Sequence, residues 1–174
     1  MRRSRLSILA LVLTAGAVTA AATAPVAAAA PRGGGDRKVT LNWTQTIDRH
    51  DPIDVAPAGE SVGDQSIAGG TVYRNGSAVG TFDLICTITR VDAQSTTTQC
   101  QSAYTLPEGG LTFWGRHTQP LGTPIHLGEQ AGSRISGVTS GTADYKTARG
   151  QGTFTRTGGA SQSVSVALTL DKGK

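Results

Sequence analysis

Two cysteines, three histidines and one serine motif are the residues whose type and spacing could do chemistry. Gly59-Glu60-Ser61-Val62-Gly63 matches the G-x-S-x-G pattern of serine hydrolases. That pattern exposes its serine only on a sharp turn from strand into helix, with an acid and a histidine downstream in a large α/β fold. Here it follows Ala56-Pro57-Ala58 and runs into a predicted strand, so it reads as a loop of small residues. His50, His117 and His126 form no H-x-H or H-E-x-x-H pair, and no second pair of cysteines exists; no metal site is expected. What Cys86 and Cys100 do depends on the elements that carry them.

Those elements read as strands from end to end. Val39, Leu41, Trp43 and Ile47 alternate with Thr40, Asn42, Thr44 and Thr46, the period of a half-buried strand. Residues 49–64 then read as a Pro- and Asp-containing loop. A second strand is predicted over about 65–74 and a third over about 78–90. Asn75-Gly76 lies between them, a strong hairpin signal because both turn residues need positive φ. A fourth strand covers about 96–106. Pro107-Glu108-Gly109-Gly110 turns the chain into a fifth over about 111–117. A weaker sixth falls within 125–136, a seventh over about 148–156, and Thr157-Gly158-Gly159 turns into an eighth over 161–170. No window after residue 36 holds a convincing helical period. The fold class expected is all-β: an eight-stranded antiparallel up-and-down barrel, which closes to remove its edges, with a two-sheet sandwich as the alternative.

The hairpin of strands three and four, centred near Ala93, faces residues whose numbers sum to 186. That register puts Cys86 opposite Cys100, Leu84 opposite Ser102 and Phe82 opposite Tyr104. Directly opposed cysteines in an exported protein are expected to form a disulfide.

Export is read from the first thirty residues. Arg2, Arg3 and Arg5 precede an apolar run from Leu6 to about Val18, and small residues follow down to Ala30-Pro31. This is the layout of a cleaved signal peptide; the run is shorter than the ~20 residues of a membrane span. Residues 31–37 read as a flexible leader and 38–172 as the barrel domain. The whole chain carries 16 Lys+Arg against 12 Asp+Glu. Three of those arginines lie in the signal, so 13 basic residues face 12 acidic ones afterwards. The basic balance therefore argues neither for nucleic acid nor for a membrane surface. Charged residues make up only 16% of the chain, too few for a coiled coil.

Several stretches occur in a familiar order: Gly63-Asp64, Gly69-Gly70-Thr71-Val72-Tyr73, Asn75-Gly76, Val79-Gly80-Thr81-Phe82, Cys86-Thr87-Ile88-Thr89-Arg90, Leu106 to Thr112, and Ser140-Gly141-Thr142-Ala143-Asp144-Tyr145-Lys146-Thr147-Ala148-Arg149-Gly150. In these the chain resembles the allene oxide cyclase barrel-like and dirigent-like proteins secreted by actinobacteria. The resemblance covers about 63–152. The family's Gly-Gly-Thr-Gly turn stands here as Ser140-Gly141-Thr142-Ala143. The resemblance implies a barrel with a mostly apolar cavity, often trimeric, that works without a cofactor on a small apolar or phenolic ligand. It also implies catalytic roles for Asp144 and Arg149. An acid there could transfer a proton, and the guanidinium could hold a carboxylate or a developing oxyanion. The same two residues could equally pin a turn or be unrelated surface charges. Tyr73, Tyr104 and Tyr145 are the ligand-lining candidates.

The expected function is a secreted small-molecule-binding barrel that guides the cyclisation or coupling of its ligand by positioning. A non-catalytic carrier and an extracellular protein-interaction barrel are the alternatives, and turnover itself stays open. The mature chain is expected to begin between about Ala27 and Arg32. Its intact mass should lie about two daltons below the fully reduced value, because the two thiols have lost their hydrogens. Free thiols titrating in the native secreted protein would sink both the hairpin register and the compartment.

Overall fold

The structure is a computed structural model, and it describes residues 35–123, 132–156 and 159–171. The proposed signal segment 1–30 lies outside the described residues. The strands are β1 (Arg37–Ile53), β2 (Gln65–Arg74), β3 (Ser77–Val91), β4 (Ser95–Leu106), β5 (Gly109–Pro120), β6 (Gly132–Gly141), β7 (Arg149–Arg156) and β8 (Ser161–Leu170). Each pairs antiparallel with the next, and β1 pairs with β8 from Arg37↔Leu170 to Thr46↔Ser161, which closes the barrel. The only helical element among the described residues is a single 3-10 turn, Ala143–Tyr145.

Alternation decides what is inside. On β8, Val164, Val166, Leu168 and Leu170 are buried while Ser163, Ser165 and Ala167 are exposed. On β4, the inner face runs Thr96, Thr98, Cys100, Ser102, Tyr104 and Leu106. The apolar core gathers Trp43, Val72, Phe82, Tyr104, Leu106, Leu111, Phe113, Tyr145 and Phe154 with the β8 valines and Leu168. Tyr104 is its hub, with ring centroids 5.3 Å from Trp43, 5.6 Å from Phe82 and 5.5 Å from Phe113. Phe113 meets Phe154 edge-on at 5.4 Å, a favoured arrangement of aromatic quadrupoles. Gly152 makes that contact possible: a Cβ there would sit 3.0 Å from both rings.

The opposed cysteines are bonded, and Cys86↔Cys100, Leu84↔Ser102 and Phe82↔Tyr104 are the observed pairs. Asn75 (φ 52°) and Gly76 (φ 79°) make the β2–β3 turn.

Two elements depart from the sequence expectation. The stretch 49–53, read as loop, continues β1. A bulge between Ile47 and Arg49 shifts the register, and Arg49 to Ile53 then pair with Gly69 to Gln65. Beyond Thr46 no β8 partner remains, so this end is an edge, where Pro52 costs no ladder bond on its free side. The sixth strand is β6, further along than expected, and residues 125–131 of the expected span lie outside the described residues. Its alternation is inverted. Ile135 faces out at 57% exposure, while Ser136 is buried and Arg134 half-buried on the inner face. An apolar-inside rule cannot find such a strand.

Ala143 is a strained position. Its φ of 48° is left-handed, where a Cβ costs roughly 1–2 kcal/mol. It stands where the resembled family has glycine. Ala143→Gly is therefore expected to stabilise the barrel by about 0.5–1 kcal/mol once the extra freedom of glycine in the unfolded chain is set against the relief. Thermal unfolding of the two proteins measures this, and an equal or lower melting temperature would contradict it.

Candidate functional site

The barrel interior is divided lengthwise. One end carries the β2–β3 and β4–β5 turns and the 3-10 turn. There Arg74 pairs with Glu108, and Tyr145 donates its hydroxyl to Glu108 Oε2 at 3.4 Å. The Arg74 guanidinium holds the Glu108 carboxyl below its ordinary range, while burial pushes the Tyr145 phenol up. This cluster closes the floor beneath the aromatic core.

The expected catalytic pair lies at that same end, on the outside. Asp144 is exposed, and its backbone N–H donates to the Glu108 carbonyl at 3.1 Å. Arg149 is exposed too; it pairs with Asp171, just past β8, and lies 3.7 Å from Asp36, just before β1. No ion pair joins Asp144 to Arg149 among the described residues. The arginine ties the residue before β1 to the residue after β8 at the barrel seam. Tyr73 faces outward beside Thr44, because Val72 next to it points in. Tyr145 is buried in the floor. Of the three tyrosines only Tyr104 reaches the cavity. Asp83, too, faces outward, 3.3 Å from Arg49. The serine of the G-x-S-x-G match lies in a loop clasp. Its Oγ is 2.8 Å from the Val55 carbonyl and 3.0 Å from the buried carboxylate of Asp64.

The cavity lies toward the other end, between the aromatic core and the mouth formed by the ends of β3, β5 and β7 and the starts of β4, β6 and β8. Its apolar wall is Phe82, Leu84, Tyr104, Phe154 and the Cys86–Cys100 bridge; its polar wall is Gln45, Ser102, His117, Arg134, Ser136 and Gln162. It measures about 40 Å³. A water needs roughly 10–15 Å³, so this is room for a few waters or a ligand's head rather than a whole drug-sized molecule. Gly115 preserves part of it: a Cβ there would stand 2.4 Å from Ser136 Oγ and 2.8 Å from His117 Nε2.

Gln45 forms the seam between core and cavity. It is 3% exposed and almost fully satisfied. Its Oε1 accepts from the Tyr104 hydroxyl at 2.9 Å and from Trp43 Nε1 at 3.3 Å, and its Nε2 donates to Gln162 Oε1 at 2.9 Å. Burial pushes the Tyr104 phenol up, so it stays a neutral donor. Nearer the mouth, Arg134 donates to Gln119 Oε1 at 3.1 Å. Arg156 follows Phe154 on the inner face of β7 and is 5% exposed. Burial lowers the pKa of both guanidiniums, and their mutual repulsion lowers that of Arg156 further.

Sequence reasoning did not assign these polar residues to a site. The signal available was positional: Arg156 extends the period-two series Gly152, Phe154, and Gln162 extends Leu168, Val166, Val164 backwards. Polar residues in core slots mark a place where the folding pattern yields to something else.

No protein-family model matches the chain, and no curated protein matches its sequence. Solved structures do match. Pyocyanin demethylase superposes with a TM-score of 0.62 at 22% identity, over 75% of this chain and 99% of that one. The Diels-Alderase AbmU from Streptomyces koyangensis gives 0.61 at 18%, over 81% and 72%. The exo-specific intermolecular Diels-Alderase AbnU gives 0.60 at 13%, over 78% and 99%. At these identities the likeness shows a shared barrel fold.

His117 makes the polar wall testable without a ligand. Burial, with help from the Arg134 charge, holds its imidazole below the ordinary 6.5. The unfolded chain takes up that proton near 6.5, while the folded barrel resists it to lower pH. Folding stability therefore falls as pH drops through about 6.5 toward the lowered folded value. The melting temperature is expected to decline between about pH 7 and pH 5, and less steeply in His117→Gln. Equal slopes would place His117 in a solvated setting.

Proposed function

We propose that the protein is a secreted small-molecule-binding barrel of the allene oxide cyclase-like and dirigent-like kind, which guides the cyclisation or coupling of an apolar or phenolic ligand. The observation that carries this reading is the cavity itself: an aromatic wall of Phe82, Tyr104 and Phe154 facing converging polar groups on Gln45, His117, Arg134 and Gln162. Ligand sites are built this way, mostly apolar with a few placed polar groups. Two of the barrels it resembles in fold are described as Diels-Alderases, which supports the same direction. Catalysis of ring closure by such a site is chiefly positioning, with no cofactor required by the residues present. The long side chains Arg134 and Gln162 stand at the mouth and can turn without backbone movement, which would widen the void for a larger ligand.

The small volume favours a second reading, a carrier or extracellular interaction barrel that holds only a ligand's head or none. The export signal is part of the first reading and of the second. So is a homotrimer, for which outward-facing Trp114 and Ile135 on the neighbouring strands β5 and β6 supply apolar surface.

Native mass spectrometry of protein from its secreting host tests the reading. The expected spectrum is a trimer carrying a non-covalent small molecule. Ser102→Leu, which fills the cavity, should lose that molecule while keeping the barrel's circular dichroism. Ligand-free wild-type protein that also fails to bind aromatic probes would reject the first reading.

A further inference from the structure

We propose that the polar end of the cavity is an anion site, which holds the carboxylate of a small aromatic acid with Arg134 and Arg156. This rests on the small-molecule reading above and names the class of ligand it selects.

The argument begins with charge balance. Arg156, the ladder partner of the cavity-lining Gln162, is 5% exposed, and neither Nη1 nor Nη2 has a hydrogen-bond partner among the described residues. Arg134 lines the cavity and spends one nitrogen on the neutral amide of Gln119. Gln119 is itself fixed, since its Nε2 donates to the Thr123 carbonyl at 2.8 Å. Among the described residues, no carboxylate forms an ion pair with either arginine. A guanidinium without a partner in a barrel interior has lost its hydration with nothing in return, so such a group calls for a compensating anion.

Among the described residues the other charged or titratable groups at this end are engaged elsewhere: the buried Asp64 accepts from the Val55 and Ser61 amides and the Ser61 hydroxyl, and Asp92 pairs with Arg90. His117 is kept neutral or, when protonated, adds positive charge. His50 reaches Ser66 Oγ at 2.9 Å. Glu60 is engaged elsewhere: its Oε2 accepts from Thr96 Oγ1 at 2.6 Å and from the Gly122 amide at 3.4 Å. The contrast with the opposite end is instructive, because there the half-buried Arg74 has its own Glu108. Among the described residues the barrel gives a carboxylate partner to Arg74 and none to Arg134 or Arg156.

The chemistry of the neighbours selects the anion. Planar guanidiniums match a planar carboxylate in two-point geometry. Phe154 stands directly opposite Arg134 in the β6–β7 ladder, and Phe82, Leu84 and Tyr104 complete the wall. A small acid whose ring lies on this wall and whose carboxylate reaches the arginines satisfies both. Inorganic phosphate would satisfy the arginines and leave the aromatic wall unused.

Benzoate, benzamide and inorganic phosphate are the probes, read by isothermal titration calorimetry on the full mature chain. Benzoate is expected to bind at least about tenfold more tightly than benzamide, and phosphate more weakly than benzoate. Arg134→Gln and Arg156→Gln should each weaken benzoate by about tenfold to a hundredfold, the scale of one lost charged hydrogen bond, and leave benzamide unchanged. A second measurement needs no ligand. Arg156→Met removes a buried unpaired charge at similar volume, so the ligand-free variant should melt at a higher temperature than wild type. Equal binding of benzoate and benzamide would overturn the anion site and leave the small-molecule cavity standing. No binding by any probe would overturn both. A lower melting temperature for Arg156→Met would show that the arginine is structural and would overturn the proposal. Glu129 is the acid nearest Arg134 in sequence and lies outside the described residues. Benzoate binding that appears only in Glu129→Gln would mean that the arginines answer a carboxylate of this chain, and the proposal would fall.

Discussion

The ladder between β1 and β8 is the constraint on which everything else rests. Until Arg37–Thr46 lies against Ser161–Leu170, the sheet has two open edges and no inside. Closure turns side-chain alternation from a preference into a commitment. Every second residue of eight strands must then share one narrow volume, and its partners are set by register. Arg149 bridging toward Asp36 and Asp171 reinforces that seam from outside, where solvent screening keeps each pair's contribution small. The bulge after Ile47 lets β1 serve both neighbours, pairing with β8 along its first half and with β2 along its second.

Within the closed volume two chemistries are kept apart by one amide. Below Gln45 the space is filled by rings packed around Tyr104, which is where the barrel gains most of its burial free energy. Above it polar side chains face Leu84 and the Cys86–Cys100 bridge, and packing is incomplete. Gln45 belongs to both halves. It satisfies the donors of Tyr104 and Trp43, which hydrocarbon neighbours could not, and turns its own N–H toward Gln162. The cost of burying Arg156 and half-burying Arg134 is carried by the well-packed half. The packed core and the cavity are therefore spatially separate in this barrel, an arrangement that lets buried polar groups persist without unfolding the chain.

Much of the fold was legible in the chain. β2, β3, β4, β7 and β8 follow from period-two alternation with turn residues between them, and Asn75-Gly76 fixes a hairpin by backbone sterics alone. The Cys86–Cys100 pairing followed from counting along one hairpin, because a local register needs no knowledge of the rest of the barrel. The extension of β1 to Ile53 was hidden by Asp51 and Pro52, residues that read as loop and are tolerated because that stretch is an edge. β6 was misplaced because its inner face is polar and its isoleucine points to solvent.

The sequence by itself determined the strand class, the count of strands and one cross-link, since each depends on short-range periodicity or on neighbours in one hairpin; closure, the long-range pairing of β1 with β8, decided between barrel and sandwich. Where the cavity lies was decided only by the tertiary structure. Asp144 and Arg149 are close in sequence and look like a pair, yet the chain turns between them and leaves both outside, on surfaces with different partners. Gln45, Tyr104, His117, Arg134 and Gln162 come from five strands and line one cavity only because the barrel closes. A residue's type says what chemistry it could do. Which charge it meets across the interior is set by register, shear and closure, quantities that belong to the whole sheet and to no segment of the chain.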